Sequence, residues 1–597
     1  MADETPEAIM VLAERHSAAV REIDDWLRSS SSAVESLTKA DLVGVRYRPV
    51  VGWRVPLEFS DGVRRVDVMV SAAFPFQPPR VRLVDRPTYL TWPHLEADGF
   101  MCLVPEAAAF DAADPIGGVA SLLAMAIDLG SRSTGHSTKQ EFQDEILSYW
   151  THAAALMKTR FYSILAPKAG SRIVRAWRGN GLLVLGEDDA KLASWVTKRF
   201  GGLRRFKSGP ALLLWLEDAM VPSDFPATAA DIKALAEQVG ATDLLAKAVA
   251  SIPDELPVGL AMPTSNGLAI AGLTVSRPPL RFGRDTVRKG FRPNRMPPSM
   301  VSSRFFGRSP IQRADLQRID PSWIHGRDQD PRAGRLREKT ALILGCGSVG
   351  GPIAISLAQA GVGNLVLVDP DILKPANLSR HPLGAPYLGL SKASCLAGRI
   401  QQDLPHVSVR AIVARSEDVL LSEDGVLAGA DVIVSAMADW GAEAMLDEWH
   451  QSEGRRCPVI YGWTEPHACA GHAVAILQQG NLFTAGFDAA GLPLLKVTEW
   501  PGPTVFQEPA CGAVFQPYGP VELQGITALV TELSLDCLLG EVSSSTHRIW
   551  AGRKRTLDKA GGRWSDDWKT LAPGRSEGGF ILERPWAIPL DVKVLAA

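Results

Sequence analysis

The chain has 597 residues, 46% hydrophobic and 22% charged, with 63 basic against 66 acidic side chains and a formal net charge of −3. That length predicts about three domains, and the balanced charge excludes a global basic field for binding nucleic acid. Seven cysteines without a CxxC pair exclude a disulfide framework and a four-cysteine zinc site; the absence of a long apolar run and of a signal pattern in MADETPEAIM predicts a soluble cytoplasmic protein.

Thr5-Pro6 reads as a helix start, with threonine as cap and proline in the first turn. Ile9, Leu12, Val20, Ile23 and Leu27 then recur at helical spacing, broken at His16, which predicts one amphipathic helix. Three β-like runs follow, GVRYRPVV, WRVPLEF and RRVDVMV, with Ser60-Asp61-Gly62 as the turn between the second and third. The prolines of FPFQPPRVRL forbid a central strand and predict a stiff surface crossing into a short strand. Next comes WPHLEADGFMCLVPE, which carries Cys102. Two helical patterns, roughly 116–129 and 139–157, close this region. From its residues alone, Cys102 is either a buried, inert hydrophobe or a reactive thiol in an accessible loop.

This order of elements resembles the ubiquitin-conjugating fold. FPFQPPRV is similar to that family's tyrosine-proline-phenylalanine, proline-proline signature. WPHLEADGFMCL falls in register with its His-Pro-Asn to cysteine pattern. The resemblance implies that Cys102 forms a thioester. Trp92 stands at the histidine position and His94 at the asparagine position. The role implied for that third position, helping an amine attack the thioester, passes to His94 as a donor or base.

From about 166 to 310 the residues predict strand, turn, strand and helix over 171–201, with further strands in ALLLWLED and GLAIAGLTV. The basic, proline-containing stretch from Arg281 to Arg313 is either a solvated connector or a contact surface for an acidic partner or nucleotide phosphates.

In the C-terminal half the β run TALIL enters GCGSVG, with Gly345, Gly347 and Gly350, and a helical pattern and NLVLVD follow, ending at Asp369. A βαβ unit with a glycine loop at a helix N-terminus suits a phosphate chain, and at this point NAD is as compatible as ATP. The segments DPDILKPANLSRHPLG, LGLSKASCLAGRI and ADVIVSAMAD add Asn377, Arg380, Lys392 and Asp439. Together they resemble the ThiF, MoeB and ubiquitin-activating superfamily of adenylating enzymes. The resemblance implies ATP and Mg²⁺ as cofactors. Asp369 would hold the ribose, Asn377, Arg380 and Lys392 the phosphates, and Asp439 the metal. Trp440 departs from the asparagine common after that last aspartate. The resemblance also implies an extra arginine for ATP that some members bring from upstream, for which Arg327 in SWIHGRDQ is the candidate; the alternative is a surface charge ahead of the fold.

Two cysteines could take the acyl group from the adenylate. Cys469 in EPHACAGH leads into an apolar run; Cys511 in FQEPACGAVFQPYGP sits in a loop-rich stretch before a long apolar helix. The second order resembles the autophagy-type activating enzyme, which favours Cys511. Cys346, Cys395, Cys457 and Cys537 read as structural.

The expected fold is multidomain α/β: a ubiquitin-conjugating-like α+β domain over 1–165, an α/β linker domain over 166–315, a Rossmann-like ThiF adenylation domain over 316–545 and a C-terminal tail over 546–597. The two-domain order resembles the bacterial anti-phage CBASS activating–conjugating fusion proteins. That resemblance implies a relay from Cys511 to Cys102, the C-terminus of a cGAS-like cyclic-oligonucleotide synthase as acyl donor, target-protein lysines as acceptors, and a homodimer. No membrane and no direct nucleic-acid partner are expected. A small ubiquitin-like donor, a sulfur-carrier adenylyltransferase and a non-catalytic nucleotide-binding scaffold are the alternatives.

Overall fold

A computed structural model describes residues 5–105, 109–133, 138–153, 159–202, 205–280, 285–292, 295–307, 309–422, 425–452, 457–477, 480–507 and 514–586. The chain forms two compact units. One holds Met1–Phe161, Ala169–Ile173 and Pro210–Leu316; the other holds Tyr162–Lys168, Val174–Gly209 and Gln317–Ala597. The segment 166–315 is thus divided between them. Among the described residues no helix is long and apolar enough to cross a membrane.

The first unit opens with the helix Thr5–Ser30. Ala19, Ile23 and Leu27, one turn apart, are buried, whereas Ile9 and Leu12 are exposed; only the second half of the expected apolar stripe meets a core. A four-stranded meander follows, Glu35–Ser36, Pro49–Phe59, Gly62–Ser71 and Arg80–Leu83. The two runs expected over 44–59 are one strand. Its entry is set by Tyr47 and Arg48 at positive φ, a conformation that extended pairing does not accept. Phe59 pairs with Gly62, so the turn falls at Ser60-Asp61 as expected. Arg54, Asp67 and Arg82 lie opposite one another across three strands. Asp67 is fully buried, accepting from Arg54 Nε at 2.8 Å and Arg82 Nη2 at 2.6 Å, which satisfies a carboxylate that could not otherwise be sealed there.

The helix Pro115–Ser133 closes this core with Val119, Leu122, Ala126 and Leu129. The helical pattern at 139–157 breaks at Glu145 into Thr138–Asp144 and Ile146–Ala153. Its Phe142, Ile146, Tyr149 and Trp150 join a different core, with Leu212, Leu214, Val258 and Leu260. There the strand Glu255–Thr264 pairs in parallel with Leu212–Trp215 and in antiparallel with Gly267–Ser276, which in turn pairs with Ile311–Ala314. Trp150 Nε1 bonds the carbonyls of Gly272 and Ala314, each at 3.1 Å. The basic stretch 281–313 is more than a solvated connector: its helix Pro298–Phe306 buries Val301, Phe305 and Phe306.

The second unit is built on an eight-stranded sheet. Its order is Ser408–Ile412, Asn364–Val368, Thr340–Leu344, Val432–Ser435, Val459–Thr464, Ala470–Ile476, Thr546–Arg553 and Gly578–Pro585. The first five strands are parallel and the last three antiparallel. Strands buried on both faces must be apolar throughout. Ala341 and Ile343 enter one core with Ile353, Leu357, Leu396 and Leu533, while Leu342 and Leu344 enter the other with Ile433, Leu446 and Tyr461. The supposed tail therefore supplies two strands of the sheet. Strand order reverses around Thr340–Leu344, whose parallel neighbours lie on opposite sides. In such sheets the crevice at the carboxyl ends of these strands takes the ligand.

Candidate active site

Cys102 belongs to the first unit. The segment leading to it folds back on itself: Glu96 N–H donates to Phe100 O and Gly99 N–H to Glu96 O, both at 2.9 Å. Gly99 has φ +89°, and a Cβ there would meet Leu83 O at 2.6 Å, so the turn requires glycine. Trp92, Leu95, Phe100 and Met101 are buried and fix the loop, while Cys102 is exposed. Its N–H donates to His94 O at 2.8 Å, and its Sγ donates to Glu96 Oε1 at 3.5 Å.

His94, at φ 55°, places ring Nδ1 3.2 Å from Glu145 Oε2 and Nε2 3.3 Å from Glu141 Oε2. The Glu145 contact holds the imidazolium above its ordinary range against partial desolvation, and the same contact lowers Glu145. Tyr149 OH accepts the His94 N–H at 2.9 Å and donates to Glu145 at 3.4 Å. With both nitrogens facing carboxylates, His94 is a positioned cation rather than a free base. This clamp is complete between the lowered pKa of Glu145 and the raised pKa of His94, and it is lost as pH rises through the latter.

The Cys102 residue is open to solvent, yet enough protein surrounds its sulfur that desolvation raises the thiol pKa. Glu145 adds to the rise, and Arg46 and Arg80 oppose it. Alkylation by iodoacetamide should therefore be slow at neutral pH and rise about tenfold per pH unit below the thiol pKa. Glu145→Gln removes a repelling charge and is expected to speed alkylation at pH 7; an unchanged or slower rate contradicts this electrostatic account.

The second unit carries a crevice of about 310 Å³ lined by Gly345, Gly347, Asp369, Asp371, Lys392, Arg415, Glu417 and Asp439. It lies at the strand-order reversal. Gly345 has φ +86°, and a Cβ there would lie 2.8 Å from Ala436 O; one on Gly350 would lie 1.9 Å from Gly345 O. Gly347 has open space above it. The loop thus turns tightly, and the helix Gly350–Gln359 begins at the crevice, where unpaired N–H groups favour an anion. His381 Nδ1 accepts the Leu383 N–H at 3.1 Å, which fixes Nε2 as donor to Cys346 O at 2.7 Å and ties down the glycine loop.

Asp369 ends the second parallel strand, its oxygens accepting from Cys346 N–H and Asp371 N–H, each at 2.7 Å. Lys392, 8% exposed, reaches Asp371 Oδ2 at 2.9 Å. Asp439 lies beyond the strand Val432–Ser435 and accepts the Ala442 N–H at 3.2 Å, capping the helix Trp440–Ser452. One turn on, burial and the Asp439 charge push Glu443 up to about 7, against a hydrogen bond from Ser435. An adjoining cavity of about 710 Å³ contains Arg380, Trp440, Glu443, Trp463, Phe487 and Tyr518. Arg380 stacks 4.7 Å over Tyr518. Gly347, Ala436 and Met437 line both spaces.

Residues 326–513 match the ThiF family model and residues 41–158 match prokaryotic E2 family B. The chain joins a ThiF-family domain to a prokaryotic E2 family B domain. Similar curated proteins include the SAMP-activating enzyme E1 of Haloferax volcanii, 30% identical over 27% of this chain and 57% of that one. The ATP-dependent ubiquitin transferase-like protein Cap2 of Pseudomonas aeruginosa is 32% identical over 20% of this chain and 23% of its own length. The protein of that name in Escherichia coli is 26% identical over 41% and 43%. The chain therefore spans less than two thirds of the length of each of these relatives. Among solved structures, Escherichia coli MccB matches at a TM-score of 0.30 and 16% identity, over 43% of this chain and 65% of that one.

The ThiF crevice brings together Gly345, Gly347, Asp369, Lys392 and Asp439, and Arg380 opens onto the neighbouring space. Asn377 accepts the Lys374 N–H at 3.0 Å and does not line either cavity. Arg327 is exposed on a turn at φ 53° and lines neither. Cys469 is buried, and burial pushes its thiol up to about 11, so it is no ready nucleophile. Cys511 lies outside the described residues. In the E2 domain, Glu96, Glu141, Glu145 and Tyr149 were not singled out by sequence; the available signal was that Glu141, Glu145 and Tyr149 recur four apart. Arg415 and Glu417 in the ThiF domain were also missed, although they follow a β run as other crevice residues do.

Proposed function

We propose that the protein uses ATP to activate a C-terminal carboxylate of another protein, passes the acyl group from Cys511 to Cys102 and joins it to a lysine amine. The observation that carries this reading is the exposed, positioned Cys102 in a chain that also holds the glycine-loop crevice with Lys392, Asp369 and Asp439. The carboxylate oxygen bonds to the α-phosphorus as pyrophosphate leaves. A thiolate then bonds to the acyl carbon and releases AMP. The second thiolate repeats the exchange, and the amine displaces it, losing a proton. Thiolates suit each transfer because they attack and leave well.

The crevice residues fit these reactants. Asp369, pinned by two N–H groups, presents its remaining lone pairs to ribose hydroxyls. Lys392 can turn from exposed Asp371 toward phosphate, and Arg380 adds charge from the adjoining cavity; fixed cations at the developing charge lower the barrier. Asp439 gives one oxygen to its helix and leaves the other for a hard cation, and a single carboxylate suits Mg²⁺, which keeps water and phosphate ligands. Bound there, the ion would supply charge neutralisation at the phosphates. In the E2 domain, Glu96 accepts the hydrogen bond of the Cys102 thiol, and charged His94, held by Glu141 and Glu145, fixes the loop that presents the sulfur.

The donor proposed is a cGAS-like cyclic-oligonucleotide synthase, the setting anti-phage defence in the cytoplasm and the assembly a homodimer; the Cap2 relatives, named as ATP-dependent ubiquitin transferase-like proteins, support ATP-dependent conjugation in general. The test is donor-dependent ATP–pyrophosphate exchange. Exchange should appear with such a synthase bearing its native C-terminus and vanish when its last residues are removed. Exchange with a small ubiquitin-like protein alone would reassign the donor.

A further inference from the structure

Beside Cys102, the E2 domain holds a cavity of about 230 Å³ that the transfer chemistry does not use. Its polar edge is Arg46, Arg80, Ser71 and Gln77, and its walls include Tyr47 and Phe100. The Tyr47 and Phe100 rings meet edge to face at 5.1 Å. Both guanidinium groups lie over Tyr47, Arg80 at 4.4 Å and Arg46 at 4.7 Å. The two arginines differ in their pairing. Arg46 is neutralised by Glu96 and lies 3.7 Å from Asp98. Arg80 is half-buried and has no carboxylate partner among the described residues. Ser71 Oγ bonds Gln77 Oε1 at 3.3 Å, which leaves the Gln77 amide N–H groups as donors.

A half-buried guanidinium stacked on an aromatic ring and facing a cavity is a ready carboxylate site. The cavity walls suit the methylene stem of a long acidic side chain. The site is next to the sulfur: Phe100 precedes Cys102 by two residues, and Glu96 touches both Arg46 and Cys102 Sγ. A chain delivering a lysine amine to that sulfur passes within two or three residues of the cavity, at ~3.3–3.6 Å per extended residue.

We propose that this cavity binds an acidic side chain lying within three residues of the acceptor lysine, and so selects which lysine is modified. The inference rests on the reading of Cys102 as acyl carrier and adds a determinant of acceptor choice.

The test uses the full chain carrying Cys511→Ala, with Cys102 charged by exchange from a small acetyl-glycyl thioester. Loss of the acyl group is followed by intact mass as synthetic lysine peptides are added, with glutamate or glutamine at each position within three residues of the lysine. Glutamate at one or two positions should speed discharge about fivefold over glutamine. Arg80→Ala should abolish that preference, read as the glutamate-to-glutamine ratio on the same variant because Arg80 also lowers the Cys102 thiol pKa, and Arg80→Lys should restore part of it. Equal rates for every glutamate and glutamine pair on a charged Cys102 would overturn the proposal. So would an Arg80→Ala chain that, once charged, kept the glutamate preference in full. Failure of Cys102 to take up the acyl group in the unaltered E2 domain would instead overturn the underlying reading.

Discussion

Replacing Cys102 by alanine is expected to leave donor-dependent ATP–pyrophosphate exchange unchanged and to reduce conjugate formation by ~10³-fold or more, since no other group takes over a lost covalent nucleophile. The fold should tolerate the change. Cys102 is exposed, its one side-chain hydrogen bond is a long one to Glu96, and the loop is held by Trp92, Leu95, Phe100 and Met101 instead. Surface changes of this kind stay within about 0.5 kcal/mol. Cys102→Ser provides the complement: its hydroxyl can accept the acyl group slowly, giving an oxyester that thiols do not cleave. Conjugates made at the normal rate by Cys102→Ala would remove the E2 domain from the transfer and leave a sulfur-carrier type of chemistry.

The second large effect concerns Asp439. It caps the helix Trp440–Ser452 through Ala442 N–H and lines the crevice, so alanine would damage both roles. Asparagine separates them, because it caps a helix about as well as aspartate but brings no charge to a cation. Asp439→Asn is expected to lower pyrophosphate exchange by ~10²-fold or more with a melting temperature within a few degrees of the parent. Exchange near the parental rate would show that another group holds the metal. Loss of Asp439's charge also removes one cause of the raised Glu443 pKa, so Glu443 should titrate at lower pH in this variant.

Much of the ThiF crevice was legible because its residues sit where a chain-local pattern puts them: a glycine loop after an apolar run, an acid at the end of the next run. Gly350, against Gly345 O, and Asp369, held by Cys346 N–H, are constrained by near neighbours in the same βαβ unit. The failures are those of long-range contact. The strands Thr546–Arg553 and Gly578–Pro585 read as a tail because their place is set by pairing: the first joins Ala470–Ile476, far upstream, and the second joins the first. The stripe at Ile9 and Leu12 looked like core, yet nothing in the sequence shows where the packing against Pro115–Ser133 stops. Around Cys102, the position of the cysteine was readable, but its electrostatics were not. Glu145 and Tyr149 reach His94 from another helix, and they turn a residue expected as donor or base into a clamped cation. Arg46 and Arg80 likewise converge on one cavity from separate strands and loops.

The most direct test of the relay is the covalent state of Cys102 itself. The full chain is incubated with its donor protein and ATP, quenched at low pH without thiols, digested and read by mass spectrometry. The account predicts the donor's C-terminal residues attached at Cys102, absent without ATP and released by dithiothreitol. Donor adenylate forming while Cys102 stays unmodified would contradict it.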